Sequence, residues 1–376
     1  MKKTLIALAA VAATGASFAQ VTMAGNISMS WQQSPVVSAA NNGQHIQGLA
    51  IQDGEIYVTA TEDMGGGWGA TARGGWIMRG RANPITSRDG TVTLKTPIGA
   101  FTGGALRSCG NINNVGLSGV VTGTVYTNNE SNYQVPMDKC SMVDVVNFAT
   151  KVSDFNVVLT YGEFESDLIA ANALGNERGN GLGVTFYDAS VQYVSGPMLL
   201  GFDWTKFGMA WVNYAGANQA APLAGTFVPL DGLNRYRLYG KYDAGFAKFG
   251  AGYQVKDMGA NQYVASVAVP VGNFTFALDY MARDAQTYVP KNDAESYAGF
   301  ALVQSRTGDK ASSAVGVGMN YSFSKTTTLN ASYITYTDAG ANTLFASGKY
   351  LAADSGKGTT AATLDTEYRI RLMKTF

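Results

Sequence analysis

Residues 315–333 read VGVGMNYSFSKTTTLNASY, and their spacing decides the fold. Val315, Val317, Met319, Tyr321 and Phe323 share one parity, and after the Ser324-Lys325 turn Leu329, Ala331 and Tyr333 take it up again. Strict period two marks a strand with one apolar face, because successive side chains leave a pleated strand on opposite sides. A helix would place apolar residues three and four apart. The alternation recurs outward from this hairpin in both directions. It is seen in Phe274, Phe276, Leu278 and Tyr280, and in Leu364, Tyr368, Ile370, Leu372 and Phe376. Leu200, Phe202 and Trp204 repeat it opposite Asp203 and Thr205, as do Trp68, Ala70, Ala72 and Trp76 opposite Thr71 and Arg73. Val21, Met23, Ile27, Met29 and Trp31 carry it near the start.

The connections alternate in length. Short turns are predicted at Gly65-Gly66-Gly67, Thr96 to Gly99, Ser153-Asp154, Ser195-Gly196-Pro197, Asp243-Ala244-Gly245, Pro270 to Asn273 and Ser324-Lys325. Between the hairpins so formed lie long polar segments near 34–48, 109–142, 166–180, 210–231, 283–311 and 338–363, with shorter ones near 80–88 and 257–260. This pattern predicts sixteen strands. A soluble β-sandwich would alternate too, but its loops have comparable lengths at both ends, whereas a transmembrane barrel has short periplasmic turns and long external loops. Trp68, Phe155, Phe246, Phe274, Phe323 and Phe376 stand beside the short turns, as an interfacial girdle requires. Hydrocarbon cannot hydrogen-bond a free strand edge, so a sheet that crosses a membrane has to close on itself.

Composition narrows the function. Of 376 residues, 46% are hydrophobic, only 14% are charged and 45 are glycine. Lys plus Arg equals Asp plus Glu at 27 each, which leaves no basic excess to hold nucleic-acid phosphates. Two cysteines and one histidine, His45, are too few for a Cys-rich zinc module or a conventional triad. Residues 1–19 read as a cleaved signal peptide: Lys2 and Lys3 precede the short apolar stretch from Thr4 to Thr14, and Ser17-Phe18-Ala19 supplies the small residues of a cleavage site. Cleavage before Gln20 removes two lysines and no acid, so the mature domain, 20–376, carries a net charge of about −2.

Thr61-Glu62-Asp63-Met64-Gly65-Gly66-Gly67 resembles the second strand and first turn of the Gram-negative general porins of β-proteobacteria. Thr91 to Arg107 resembles their fourth and fifth strands, and Tyr239 to Tyr253 and Tyr263 to Asp284 resemble later hairpins. The ending Tyr368 to Phe376 is similar to their Phe-terminated assembly signal, carried by Tyr368, Ile370, Leu372 and Phe376. The resemblance implies an all-β, 16-stranded antiparallel barrel in the outer membrane, a homotrimer, and passive diffusion of ions and small hydrophilic solutes through a water-filled pore. It further implies a third long loop, from about Cys109 to Met142, folded inward. The partners it implies are outer-membrane lipid, lipopolysaccharide and the barrel-assembly machinery. No cofactor and no metal follow.

In the family, acids on that loop face arginines on the wall, and in a narrow pore such charges set ion preference. The match here is incomplete. Arg107 stands at a wall-arginine position, although it follows the apolar parity of Ala105 and needs a bulge to face inward. Glu55 replaces a base early in the second strand, and Ala149, with Lys151 nearby, replaces another. By alternation Arg73, Lys95, Arg235, Arg237, Lys241, Arg369 and Arg371 face the lumen, as do Glu55, Asp203, Asp365 and Glu367. The sign of any ion preference is therefore left open. Within the third loop Glu130 and Asp138 are the only carboxylates and the candidates for its acidic side. Cys109 and Cys140 flank the same loop and meet an oxidising compartment during assembly, which makes them a candidate disulfide against two free thiols. A hydrolase barrel would need a base beside a nucleophile, and the one imidazole, His45, reads as a residue of the first external loop. An adhesin or structural barrel is the third class, and it differs from a porin in conductance rather than in sequence pattern.

Overall fold

The structure is a computed structural model that describes residues 20–38, 44–78, 85–108, 141–164, 185–208, 210–214, 223–228, 233–257, 261–284, 311–337, 362–364 and 366–376. The alternating runs form β1 (Gln20–Ser38), β2 (His45–Gly65), β3 (Trp68–Ile77), β4 (Thr86–Thr96), β5 (Gly99–Ser108), β6 (Ser141–Val152) and β7 (Phe155–Phe164). There follow β8 (Thr185–Ser195), β9 (Met198–Phe207), β10 (Ala210–Tyr214), β11 (Leu223–Val228), β12 (Asn234–Asp243) and β13 (Lys248–Lys256). The chain ends with β14 (Gln262–Val271), β15 (Phe274–Arg283), β16 (Ser312–Ser324), β17 (Thr327–Thr337), β18 (Ala362–Leu364) and β19 (Thr366–Thr375).

Each wall strand pairs antiparallel with its neighbour in sequence, β9 passes to β12, and β1 pairs with both β2 and β19. Because β18 and β19 both run along β1, they form one interrupted stave, and the wall is a closed barrel of sixteen. β10 and β11 form a separate two-stranded sheet. The predicted strand count is therefore the observed one, with two local differences. β1 and β2 run to 19 and 21 residues, so His45 opens β2 opposite Val37 instead of lying in a loop. The segment read as one loop near 210–231 contains the β10–β11 hairpin. The third long connection, 109–140, lies outside the described residues.

The closing seam is set by residues far apart in the chain. Asn26 to Gln33 pair in register with Thr375 to Tyr368, and the last residue continues the ladder, since Gly25 and Phe376 exchange two backbone hydrogen bonds of 3.0 Å. Gly25 is required there. A Cβ would lie 2.3 Å from the Glu55 carbonyl oxygen and 2.7 Å from the Phe376 ring.

Side chains sort by parity as the pleat demands. On β9, Leu200, Phe202 and Trp204 are exposed on the outer face, while Gly201, Asp203, Thr205 and Phe207 are buried on the inner one. An outer apolar surface this continuous would be an aggregation surface in water, and it matches a hydrocarbon environment. Its two borders are aromatic. Near the short turns Phe101 meets Phe148 at 4.7 Å, Phe155 meets Tyr193 at 5.2 Å and Phe274 meets Tyr321 at 4.7 Å. Toward the other end Tyr161 meets Tyr187 at 5.4 Å, Tyr253 meets Tyr263 at 5.0 Å and Trp31 meets Tyr368 at 5.1 Å. The first border is legible in the sequence beside the short turns; the second, mostly tyrosine, stands beside long polar segments that give no such marker.

Replacing Gly25 by Val drives a side chain into this seam. The expected loss is about 1–3 kcal/mol, the usual cost of overpacking. It is read as a lower temperature for converting the compact, detergent-resistant form to the unfolded one on a gel.

Candidate functional site

Inward positions carry the groups that hydrocarbon excludes, so the chemistry of this chain is in its lumen. A hydrogen-bonded region spans β8, β9 and β12–β14. Ser190 donates to Asp203 Oδ1 at 2.7 Å, Tyr239 donates to the same oxygen at 3.1 Å, and Gln192 Nε2 donates to the Tyr239 hydroxyl at 2.8 Å. Nearer the long-loop end Thr205 donates to Asp188 Oδ2 at 2.7 Å and accepts from Arg235 Nη2 at 3.1 Å, and the Arg235 guanidinium lies 5.4 Å from the Phe207 ring centre. Arg237 Nε donates to Gln254 Oε1, and Gln254 Nε2 donates to Gln262 Oε1 at 3.0 Å. Charges buried this deeply are tolerated because each is drawn into a hydrogen-bonded network.

A second group stands on β2–β4. The Arg73 guanidinium stacks 4.0 Å above the Tyr57 ring and reaches Asp89 at 3.7 Å, and the Tyr57 hydroxyl donates to Glu55 Oε2 at 3.2 Å. Arg73 keeps 42% of its side chain exposed, whereas Glu55 is 2% exposed. On β19 Arg369 Nη2 and Glu367 Oε1 form an ion pair at 2.8 Å, and Tyr336 donates to Glu367 Oε2 at 3.1 Å.

The structure thus joins two of the predicted pore residues, Arg73 and Glu55, through Tyr57, a link that parity alone does not supply. Lys95 sits two positions from the Pro97-Ile98 turn and four from Thr91, which pairs with Arg73; that is about 13 Å along the strand. Arg107 receives no bulge. The β5–β6 ladder runs unshifted from Ala100 to Ser108, so Arg107 keeps the parity of Phe101 and Ala105, and nothing is described of its side chain. Glu130, Asp138, Cys109, Cys140 and Asp365 lie outside the described residues. Arg235, Arg237, Lys241, Arg369 and Arg371 take the inward parity expected of them, and so do Asp203 and Glu367. The sequence reading missed Lys256 and Arg283, which are 5% and 2% exposed on the inner face of β13 and β15. Their alternation with Val255 and Ala282 was available, but both stand at strand ends beside polar loops. Among the described residues, no group of three or more His, Cys, Asp and Glu is placed to hold a metal.

The inner wall also carries apolar groups. Tyr239, Val264 and Met281 pack together with Leu199 against them. Three inward aromatic rings occupy the space of a directly paired glycine: Tyr57 over Gly75, Phe186 over Gly162 and Tyr239 over Gly201, where an added Cβ would meet ring atoms at 2.5, 2.2 and 2.2 Å. Glycine lets each ring occupy the space beside the wall instead of standing off it, the packing known to rescue glycines in sheets. Gly201→Ala therefore displaces Tyr239 and breaks both its hydrogen bonds. We expect a loss of about 1–3 kcal/mol, and about 1 kcal/mol for Tyr239→Phe, which keeps the ring. Denaturant midpoints followed by tryptophan fluorescence measure the difference.

A closed barrel with an apolar outer band, aromatic borders and a charged, hydrogen-bonded interior belongs to the class of transmembrane channels. Residues 4–342 match the Gram-negative porin family, and the chain belongs to that family. It is an outer-membrane porin, a water-filled channel for passive diffusion of solutes. No curated protein matches it significantly. Its fold is similar to that of an anion-selective porin from Comamonas acidovorans, at 17% identity and a TM-score of 0.62, covering 95% of this chain and 100% of that one. OmpT of Vibrio cholerae in a trimer form gives 12% identity, 95% and 99% coverage and a TM-score of 0.56. A mutant of Rh. blastica porin gives 9%, 95% and 100%, and 0.53.

Proposed function

We propose that the chain acts as a homotrimer of separately conducting barrels that pass ions and small hydrophilic solutes, with a modest preference for anions. The observation that carries the reading is the distribution of charge over the inner wall. From β12 onward Arg235, Arg237, Lys256, Arg283, Arg369 and Arg371 face inward, against Asp279 near the middle of β15 and Glu367 near the start of β19, while Glu55, Asp188 and Asp203 are inward acids of β2, β8 and β9. In a pore of reduced dielectric such an excess favours the counter-charged ion. The trimer form of OmpT and the anion selectivity named for the Comamonas porin agree with the proposal.

On this reading residues 1–19 are removed on export, and 20–376 forms the barrel. Lipid and lipopolysaccharide surround the outer band, and the assembly machinery recognises Tyr368, Ile370, Leu372 and Phe376. Arg73 and Glu55 line the pore, Lys95 its periplasmic exit, and Glu130 and Asp138 supply the acidic side of the constriction. The protein is read as a channel and not as an enzyme.

Purified protein in a planar bilayer under a salt gradient should give current steps in groups of three and a reversal potential of anion-preferring sign. Arg371→Glu or Arg73→Glu should move that potential toward cation preference. A folded barrel without current would instead support a plugged or structural one. The proposed Cys109–Cys140 disulfide predicts that denatured, unreduced protein takes up no thiol-blocking reagent and gains two equivalents after reduction. Closing so long a loop stabilises by roughly 3–4 kcal/mol in the chain-entropy model.

A further inference from the structure

The inward cations of the wall are of two kinds. Arg237, Arg283, Arg369 and Arg371 are buried within the wall. Four lysines nearest the short turns are not. Lys95, Lys151 and Lys248 are exposed, Lys248 over 53% of its side chain, and Lys241 is half-buried. All four take the inward parity. On β4 Lys95 shares it with Thr91, the partner of Arg73, and on β6 Lys151 shares it with the buried Val143 and Val145. On β12 Lys241 shares it with Arg237, and on β13 Lys248 shares it with Gln254. Each stands at the end of its strand that adjoins a short turn, so together they face the periplasmic mouth.

The staves from β4 through β9 to β12 and β13 are consecutive, so the lysines occupy one arc of about half the mouth. Lys241 pairs with Gly250, two residues from Lys248, which sets the two backbones about 8 Å apart. Lys95 and Ala149 both pair with Ala100, and Lys151 lies two residues beyond Ala149, at about 12 Å from Lys95. Each pair is within the combined reach of two flexible four-carbon stems. Two acids share the arc. Asp243 meets Lys248 at 3.2 Å and accepts from the Gly245 amide at 2.9 Å, and Asp154 stands in the β6–β7 turn. Among the described residues, no ion pair joins Lys95, Lys151 or Lys241 to an acid. The other half of the mouth presents hydroxyls and amides inward, from Thr61, Thr71, Thr275, Asn320 and Thr328. Its charges are Asp63, which accepts from the Gly65 amide at 2.9 Å, and Lys325 in a turn.

The arc is built of ammonium groups without a guanidinium among them. An ammonium is a compact point charge that lacks the planar fork by which arginine reads carboxylate or phosphate geometry. Such an arc distinguishes anions by the number of their charges and not by their shape. Chloride interacts with one ammonium at a time, whereas a multivalent anion engages two or more at once and gains from each. We propose that Lys95, Lys151, Lys241 and Lys248 form a capture site for small multivalent anions at the periplasmic mouth, which holds them there while monovalent anions pass. The proposal rests on the reading of the lumen as an anion-preferring channel, and it makes that channel asymmetric, with a valence filter on the periplasmic side.

The test is chloride current through single insertions of the full mature chain in a planar bilayer, with tripolyphosphate or citrate added to one compartment at a time. Both should block from the same single side and acetate from neither. Block should weaken as KCl rises from about 0.1 M to about 1 M, because salt screens exposed charges. Changing all four lysines to Gln should raise the half-blocking concentration about tenfold or more at low salt. Changing all four to Arg should keep the block, since charge is retained. Lys374→Gln, near the same turns but on the outer face, should leave current and block unchanged. Chloride current without one-sided block, or block that survives the four Gln changes, would overturn the site and leave the channel standing. Loss of block in the Arg variant would overturn selection by charge number. Absence of chloride current in wild type would overturn the channel reading itself. If the fourfold Gln variant does not assemble, the two pairs, Lys95→Gln with Lys151→Gln and Lys241→Gln with Lys248→Gln, decide: each should weaken the block, and a pair that leaves it intact is removed from the site.

Discussion

Everything in this protein follows from the inability of hydrocarbon to accept or donate a hydrogen bond. A backbone group left open in the bilayer costs several kcal/mol, so the wall has to close edge to edge. Closure is made between the two ends of the chain, where Asn26 to Gln33 meet Thr375 to Tyr368 and Gly25 meets Phe376. Once the seam is in register, the parity of every strand is settled, because a slip by one residue would turn its apolar side chains into the lumen.

Parity then divides the chemistry. Outside, Leu200, Phe202, Trp204 and their counterparts meet lipid, and aromatic pairs mark both interfaces. Inside, charge is held mostly by partners on other strands: Asp203 by Ser190 and Tyr239, Arg73 by Tyr57 and Asp89, and Glu367 by Tyr336 together with Arg369 of its own strand. These bonds stiffen the wall and also orient it. Since arginine cannot accept, the bond from Arg237 fixes which way the Gln254 amide faces, and through it the oxygen of Gln262.

The fold was legible almost throughout, for a local reason. Period-two alternation in a stretch such as Val315 to Phe323 depends on nothing but that stretch, and the short turns are set by their own few residues. Reading failed where a local signal was weak or ambiguous. His45 stands beyond a polar segment whose composition reads as loop, although β1 and β2 continue pairing up to it. The β10–β11 hairpin lies within a polar, Gly/Ala-rich stretch whose composition reads as loop. An inward Arg107 needs a bulge that its ladder to β6 does not contain.

Sequence alone determined which residues face lipid and which face water, since that is a matter of odd and even positions along one strand. It also showed the girdle near the turns and the inward sense of Arg73, Arg237 and Arg371. Only the tertiary structure decided who stands beside whom. Tyr57 beneath Arg73, Tyr239 over Gly201, and Arg237 in one row with Gln262 and Arg283 are neighbours because of register between strands, and register is a property of the closed sheet. The separations involved, up to that between Gly25 and Phe376, exceed anything a local pattern encodes.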